Sequence, residues 1–369
     1  MAEALVTIRE AEVVVATAPL VTPFRIATGQ HDRMENVFLR LKADNGIYGY
    51  GEAAVASHIT GETVTGTRDT LQAAADRLVG RTVSDLPELV EEFSPCFTGN
   101  HAGLAAFEAA LLDIYSRTRG IPLHALFSPP PGCSPRYSFQ SDITIVIGSL
   151  EEAERAAQRY AAQGFTTFKI KIGRDHELDL VRVRAVRRAA PDSSLILDAN
   201  MGFTADAMLA FLRRLEGMGI RPALVEQPVP KADWEGLAMV TREAARSGIL
   251  VCADESVGSL AEAERAIASH TVSAINIKFM KSGIAEAARI ARFASVHGIR
   301  LMLGAMMESS LAITTAAHFA AGMGCFDFID LDTTFFISGP FAHSPYLDAG
   351  GRFNLAAAGP GIGVAPPLG

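Results

Sequence analysis

Two lysines one residue apart, Lys169 and Lys171, stand in the apolar, β-branched run Phe165-Thr-Thr-Phe-Lys-Ile-Lys-Ile-Gly173. On a strand the side chains alternate, so both ammonium groups share one face. A strand buried on both sides carries two cations only where something there requires them. Later apolar runs supply the requirement. Leu195-Ile-Leu-Asp198, Val225-Glu226 and Val251-Cys-Ala-Asp254 each end on a carboxylate, and the three follow one another at intervals of 28 residues. One carboxylate per successive strand at equal spacing puts the three at one level. Converging carboxylates repel, so the set calls for a hard divalent cation, and all-oxygen donors suit Mg2+. Taken singly, each has the plainer explanation of a helix cap or a lysine partner.

A third buried cation appears in the run Ala274-Ile-Asn-Ile-Lys278-Phe-Met-Lys281. A lysine close to other positive charge can have its pKa lowered into the range of a general base. Two lysines facing each other across a metal site suit removal and return of a proton on a carbon beside a carboxylate. A Schiff-base aldolase is the rival chemistry, but it needs one desolvated lysine and no carboxylate triad. Asp330 and Asp332, in Phe328-Ile-Asp-Leu-Asp, share a face beside the first strand's end and away from the metal strands, suited to a second cation or a substrate ammonium; helix capping is the plainer reading. Glu308, in Met306-Met-Glu-Ser-Ser, is a further carboxylate at the same end.

The elements that must position these residues follow a period. Apolar runs start near Asp142, Phe165, Ser194, Ala223, Leu250, Ala274, Arg300 and Phe328, with seven helical stretches between them. That alternation predicts a (β/α) barrel, whose strand ends form the active-site mouth and whose second and sixth strands lie on opposite sides. An open doubly wound sheet is disfavoured, since no glycine-rich phosphate loop follows the first strand. Before the barrel, residues 1 to about 55 read as antiparallel strands with a hairpin at Asp44-Asn45-Gly46, and 64–119 reads as helical. Pro23 to His31 and Ser57 to Thr63 read as mobile loops. Ser128-Pro-Pro-Pro-Gly132 is a stiff linker. The expected division is a capping domain at 1–128, a barrel at 129–345, and a segment 346–369 returning to the cap.

The composition excludes several classes. The net charge of −8 argues against a nucleic-acid surface. No apolar segment approaches the roughly 18 residues of a membrane helix, and the opening residues, broken early by Arg9 and Glu10, are expected not to act as a signal peptide. Cys96, Cys133, Cys252 and Cys325 lack metal or disulfide spacing and read as buried thiols in a reducing compartment. A cytoplasmic protein, with no membrane or nucleic-acid partner, is expected.

As a set, Lys169-Ile-Lys171, Asp198-Ala-Asn200, Glu226-Gln-Pro228, Asp254-Glu255-Ser256 and Lys278-Phe-Met-Lys281 resemble the enolase superfamily, muconate lactonizing enzyme subgroup, along nearly the whole chain. The resemblance implies an α/β fold, a (β/α)7β TIM-type barrel, with an α+β capping domain built from the N-terminal region and the C-terminal tail. It implies Mg2+ on Asp198, Glu226 and Asp254, with Asn200 and Glu255 behind them. Lys171 would be the base for the (S) epimer and Lys278 for the (R) epimer, with Lys169 near the substrate carboxylate, helping to lower the pKa of Lys171. Asp330-Leu-Asp332 looks like the Asp-x-Asp signature of dipeptide epimerases, which binds the free ammonium of an L,L-dipeptide. The implied activity is epimerisation at the α-carbon of the C-terminal residue through an enediolate. Other activities of the subgroup are the alternative: N-acylamino acid racemase, o-succinylbenzoate synthase or cycloisomerase. A homo-oligomer is compatible with the resemblance. Arg25 is the nearby cation of the first cap loop. Met306 and Met307 suggest an adaptable apolar wall and so a hydrophobic or broad second residue.

Overall fold

The computed structural model describes residues 6–83 and 86–368. An antiparallel sheet opens the chain, with β1 (Ile8–Ile26), β2 (Gly29–Ala43) and β3 (Tyr48–Ala53). Gly46, at φ 80°, supplies the left-handed position of the expected β2–β3 turn. Residues 23–31, expected as a loop, are instead the far end of the β1–β2 hairpin. Phe24 pairs there with His31, Arg25 with Gln30 and Ile26 with Gly29. The register slips between Pro19 and Phe24, where prolines remove ladder donors. The second expected loop holds a one-turn helix, α1 (Ser57–Thr60), followed by α2 (Val64–Leu78), α3 (Leu86–Phe93) and α4 (His101–Thr118). Helix α4 lies so close on β3 that a Cβ on Gly51 would stand 1.9 Å from the Ala106 carbonyl oxygen.

After the short β4 (Ser138–Gln140) come eight parallel strands: β5 (Ile143–Ile145), β6 (Thr167–Lys171), β7 (Ser194–Asp198), β8 (Leu224–Glu226), β9 (Leu250–Ala253), β10 (Ala274–Ile277), β11 (Arg300–Gly304) and β12 (Phe328–Asp330). They lie side by side in chain order. Between them run α5 (Leu150–Ala162), α6 (His176–Ala189), α7 (Ala205–Gly217), α8 (Trp234–Ala245), α9 (Leu260–Ala268), the single turn α10 (Phe279–Ser282), α11 (Ile284–Val296) and α12 (Ser310–Met323). The sequence dictates where most of these helices begin. Ser149, Asp175, Thr204, Asp233, Ser259 and Ser309 each accept a backbone N–H of the first turn. The result is the expected barrel of eight strands and seven long crossover helices. Its last seam closes partly through side chains. Asp142 N donates to Ile329 O at 2.8 Å, Thr144 N to Asp332 Oδ2 at 2.6 Å, and Leu331 N to Ser141 Oγ at 2.8 Å.

The cap sheet and the barrel are tied by buried carboxylates. Glu52, on β3, accepts from Ser309 N (2.8 Å) and Ala312 N (3.1 Å) at the start of α12. Glu108, on α4, accepts from Ile284 N and from Ala285 N, capping α11, which has no capping side chain of its own. The tail adds β13 (Arg352–Asn354), paired with β4. It then returns to α4, where Ile362 N donates to Asp113 Oδ1 at 2.7 Å. The four cysteines are free; Cys252 is buried as expected, but the other three are only half-buried. Among the described residues, no helix is long and apolar enough to cross a membrane.

Candidate active site

The barrel brings nearly all the singled-out residues to one mouth. Asp198 pairs in register with Lys171 on one side and Glu226 on the other. Glu226 pairs with Cys252, so Asp254 stands two residues further along its chain. Offsets of this kind are what strand tilt imposes on a closed barrel, so level placement does not need matched register. Lys278 is one residue past β10, still extended at φ −134°. Strands β6 and β10 are four apart in a ring of eight, which sets Lys171 and Lys278 on opposite walls.

The lysines are spoken for by the carboxylates. Lys169 Nζ lies 2.7 Å from Asp330 Oδ2, 3.0 Å from Asp198 Oδ2 and 2.8 Å from Glu226 Oε2, and only the first of these is a hydrogen bond. Lys171 Nζ reaches Asp198 Oδ2 at 2.5 Å. Asp254 takes Lys278 at 2.8 Å on Oδ2 and Lys281 at 2.7 Å on Oδ1. Asp330 is therefore not remote from the carboxylate strands, as its place beside the first strand implied: Lys169 joins it to them.

Burial pushes the Glu226 carboxyl up to about 7, with Asp198 adding to the rise. Burial also acts on Asp198, but Lys169, Lys171 and Lys278 outweigh it and hold that group at about 2. Asp254 is likewise driven well below the usual carboxylate range by Lys278 and Lys281 against its burial. At Lys169 and Lys278 the shifts run upward, against the lowering that like charge alone would bring. Burial favours neutral Lys278, yet Asp254 raises its pKa; Lys169 rises well above its ordinary value through Asp198, Asp330 and Glu226. Glu255 and Glu308 are both lifted to about 8 by burial, Asp254 contributing for the first and Glu52 for the second. Asp332 rises to about 6 through burial and Asp330.

These residues fit a metal ion. Asp198, Glu226 and Asp254 offer only hard oxygen donors. Beside them Glu226 Oε2, Glu255 Oε2 and Asn200 Oδ1 are buried without a hydrogen-bond donor. Backbone strain marks the same place, since Asn200, Met201 and Gln227 have φ of 39°, 68° and 33° immediately after β7 and β8. A tighter carboxylate group lies next door: one oxygen from each of Asp142, Asp330 and Asp332 falls within 4.8 Å of the others.

One cavity opens over this array. Lys169, Lys171, Lys278, Asn200, Asp330, Asp332, Met306 and Met307 line it from the barrel; Phe24, Ile26, His31, His58 and Ile59 line it from the cap. Glu308 is buried behind that wall, with its Oε1 accepting from Met306 N at 2.8 Å. Arg25 does not reach the cavity. It bonds Gln30 Oε1 and lines a separate hollow with Arg155 and Arg159, because alternation along β1 turns it away from the face of Phe24 and Ile26.

Sequence reasoning passed over four contributors. Asn276 donates to Glu226 Oε1 at 2.8 Å. Gln227 joins the Asp254–Ser256 turn to β8, accepting from Asp254 N at 2.9 Å and Ser256 N at 3.1 Å. His31 and His58 meet with ring centroids 5.2 Å apart and planes tilted by 57°, and burial lowers both imidazole pKa values. Asn276 and Gln227 were visible as polar residues in or beside buried strands. The histidines carried no local signal.

Comparison with known proteins agrees with this architecture. Residues 8–128 match the model of the mandelate racemase/muconate lactonizing enzyme N-terminal domain, and 151–367 match the enolase C-terminal domain-like family. A hydrophobic dipeptide epimerase of Citrifermentans bemidjiense is 63% identical over 97% of this chain and 98% of its own. An aromatic dipeptide epimerase of Herpetosiphon aurantiacus is 38% identical over 94% and 96%. The solved dipeptide epimerase of Enterococcus faecalis, complexed with Mg and L-Leu-L-Tyr, superposes with a TM-score of 0.88 at 30% identity, covering 97% of this chain and 99% of that one. By fold, by domain pair and by sequence, this chain belongs to the mandelate racemase/muconate lactonizing enzyme family of the enolase superfamily.

Proposed function

We propose that this protein is an Mg2+-dependent epimerase of hydrophobic L,L-dipeptides, inverting the α-carbon of the C-terminal residue. The observation that carries the reading is the pair of buried lysines, Lys171 and Lys278, on opposite walls of one cavity with a carboxylate array between them. In this reading Asp198, Glu226 and Asp254 hold the ion, and Asn200 and Glu255 support them. When bound, the ion would supply positive charge to polarise the substrate carboxylate and to offset the negative charge that raises the pKa values of Lys169 and Lys278. Lys171 removes or returns the proton on the (S) face, Lys278 on the (R) face, and Lys169 orients the substrate carboxylate. Asp330 and Asp332 receive the free ammonium of the N-terminal residue. Phe24, Ile26, Ile59, Met306 and Met307 exclude water and accept apolar side chains. Residues 1–128 and 346–369 act as the cap over a barrel of 129–345. Four free thiols support a cytoplasmic location.

Asp330→Ala and Asp332→Asn test the ammonium assignment; Asn at 332 keeps an acceptor for Thr144 N and so preserves the barrel seam. Turnover of free-amine dipeptides is expected to fall by about a hundredfold or more in each. Retained dipeptide turnover, or preferential action on N-acyl amino acids, refutes the assignment in favour of another subgroup activity.

A further inference from the structure

Asp142 is the one carboxylate of the tight group for which the dipeptide reading has no use. It precedes β5, and its backbone is pinned across the seam by the bond from its N–H to Ile329 O, which fixes the point from which the side chain starts. It is 2% exposed, and neither carboxylate oxygen has a hydrogen-bond donor. The charged groups facing it are Asp330 and Asp332 from the end of β12 and Lys169 from β6. Asp332 has Thr144 N, and Asp330 has Lys169. Lys169 is already shared among Asp330, Asp198 and Glu226. An ionised Asp142 would thus be a buried anion without a donor, beside two further anions, an arrangement that desolvation and like-charge repulsion both oppose. A carboxylic acid there has a ready acceptor in its neighbour.

We propose that Asp142 is a positioning residue of the ammonium subsite: it keeps its proton and donates a hydrogen bond to Asp330, fixing that carboxylate without adding charge. Burial, Asp330 and Asp332 all push the Asp142 carboxyl well above the ordinary range, which agrees with the geometry. The arrangement leaves two anions to meet the shared ammonium of Lys169 and an incoming ammonium. It also spares Lys278, whose pKa Asp330 already helps to raise, from a further negative neighbour. This inference rests on the dipeptide reading for its consequence in turnover, but not for the proton itself.

Asparagine is close in shape to a protonated aspartate and can donate the same hydrogen bond. Asp142→Asn is expected to keep KM for a hydrophobic L,L-dipeptide within about threefold of the parent, while Asp142→Ala raises KM about tenfold or more with a smaller change in kcat. Equal rises in KM for both variants would show that Asp142 acts as a charge; no rise with alanine would show that it positions nothing. Infrared difference spectra of parent against Asp142→Asn at neutral pH give a second readout, which needs neither activity nor the alanine variant. One protonated-carboxyl band is expected to vanish in the asparagine variant, and loss of a carboxylate band instead overturns the proposal. If the parent turns over no dipeptide, the functional reading fails while the infrared result still decides the proton.

Discussion

At the scale of residues, the buried lysines are tolerated because each has a carboxylate partner, and Lys169 has three. This much was legible beforehand: cations in apolar strands and carboxylates at later strand ends demand one another. The division of labour between Lys169 and Lys171 came only from the family resemblance, not from their positions. Lys169 and Lys171 are equivalent on a strand diagram, and only barrel closure makes the first a bridge to Asp330. Asp142 was invisible for the same reason, since it meets Asp330 and Asp332 only where the last strand closes on the first. Glu226 carries a consequence for metal binding. With its carboxyl near 7, a proton must leave before an ion can take its place. Below that pH the folded protein binds the proton, so apparent Mg2+ affinity is expected to rise by up to about tenfold per pH unit and to level off above about 7. Calorimetric titration across that interval checks it; an affinity flat with pH would contradict the assignment of Glu226 to the ion.

At the scale of elements, helix starts were readable because Ser, Thr and Asp caps precede the crossover helices. The stretch 23–31 was misread as a loop. Pro23, Gly29 and polar residues locally resemble a turn, while the pairing of Phe24 with His31 is set by the whole length of β1 and β2. This matters for function, because a hairpin presents Phe24 and Ile26 to the cavity and turns Arg25 away. The contact of α4 with β3 was equally hidden, although Tyr48-Gly-Tyr-Gly51 was read as a strand. Its glycines leave room for the Ala106 and Ala110 carbonyls. Gly51→Ala is expected to cost about 2 kcal/mol or more, since a backbone oxygen and not a flexible side chain blocks the new Cβ. Chemical denaturation measures it; an unchanged midpoint would show that the helix can move away.

At the scale of the whole molecule, the period of the strands disclosed the barrel, but nothing local disclosed how the cap is seated. Glu52 does this with Asn36: the Asn36 amide donates to Glu52 Oε1 at 2.7 Å and to Met307 O at 2.8 Å, joining cap, α12 and cavity wall. Glu52→Ala leaves those buried donors unpaired and is expected to cost about 3 kcal/mol. KM should rise with it, because the Met306–Met307 wall loses its anchor; a stability loss with unaltered KM would separate cap docking from the cavity. The central claim, two opposed lysines acting on one α-carbon, is tested most directly by incubating the protein and Mg2+ with a hydrophobic L,L-dipeptide in D2O. The parent is expected to place one deuterium on the α-carbon of the C-terminal residue and to form the L,D diastereomer. Lys171→Ala should then exchange only the L,D epimer, and Lys278→Ala only the L,L epimer. Exchange lost for both epimers alike in each variant, or absent from the parent, would contradict the two-base account.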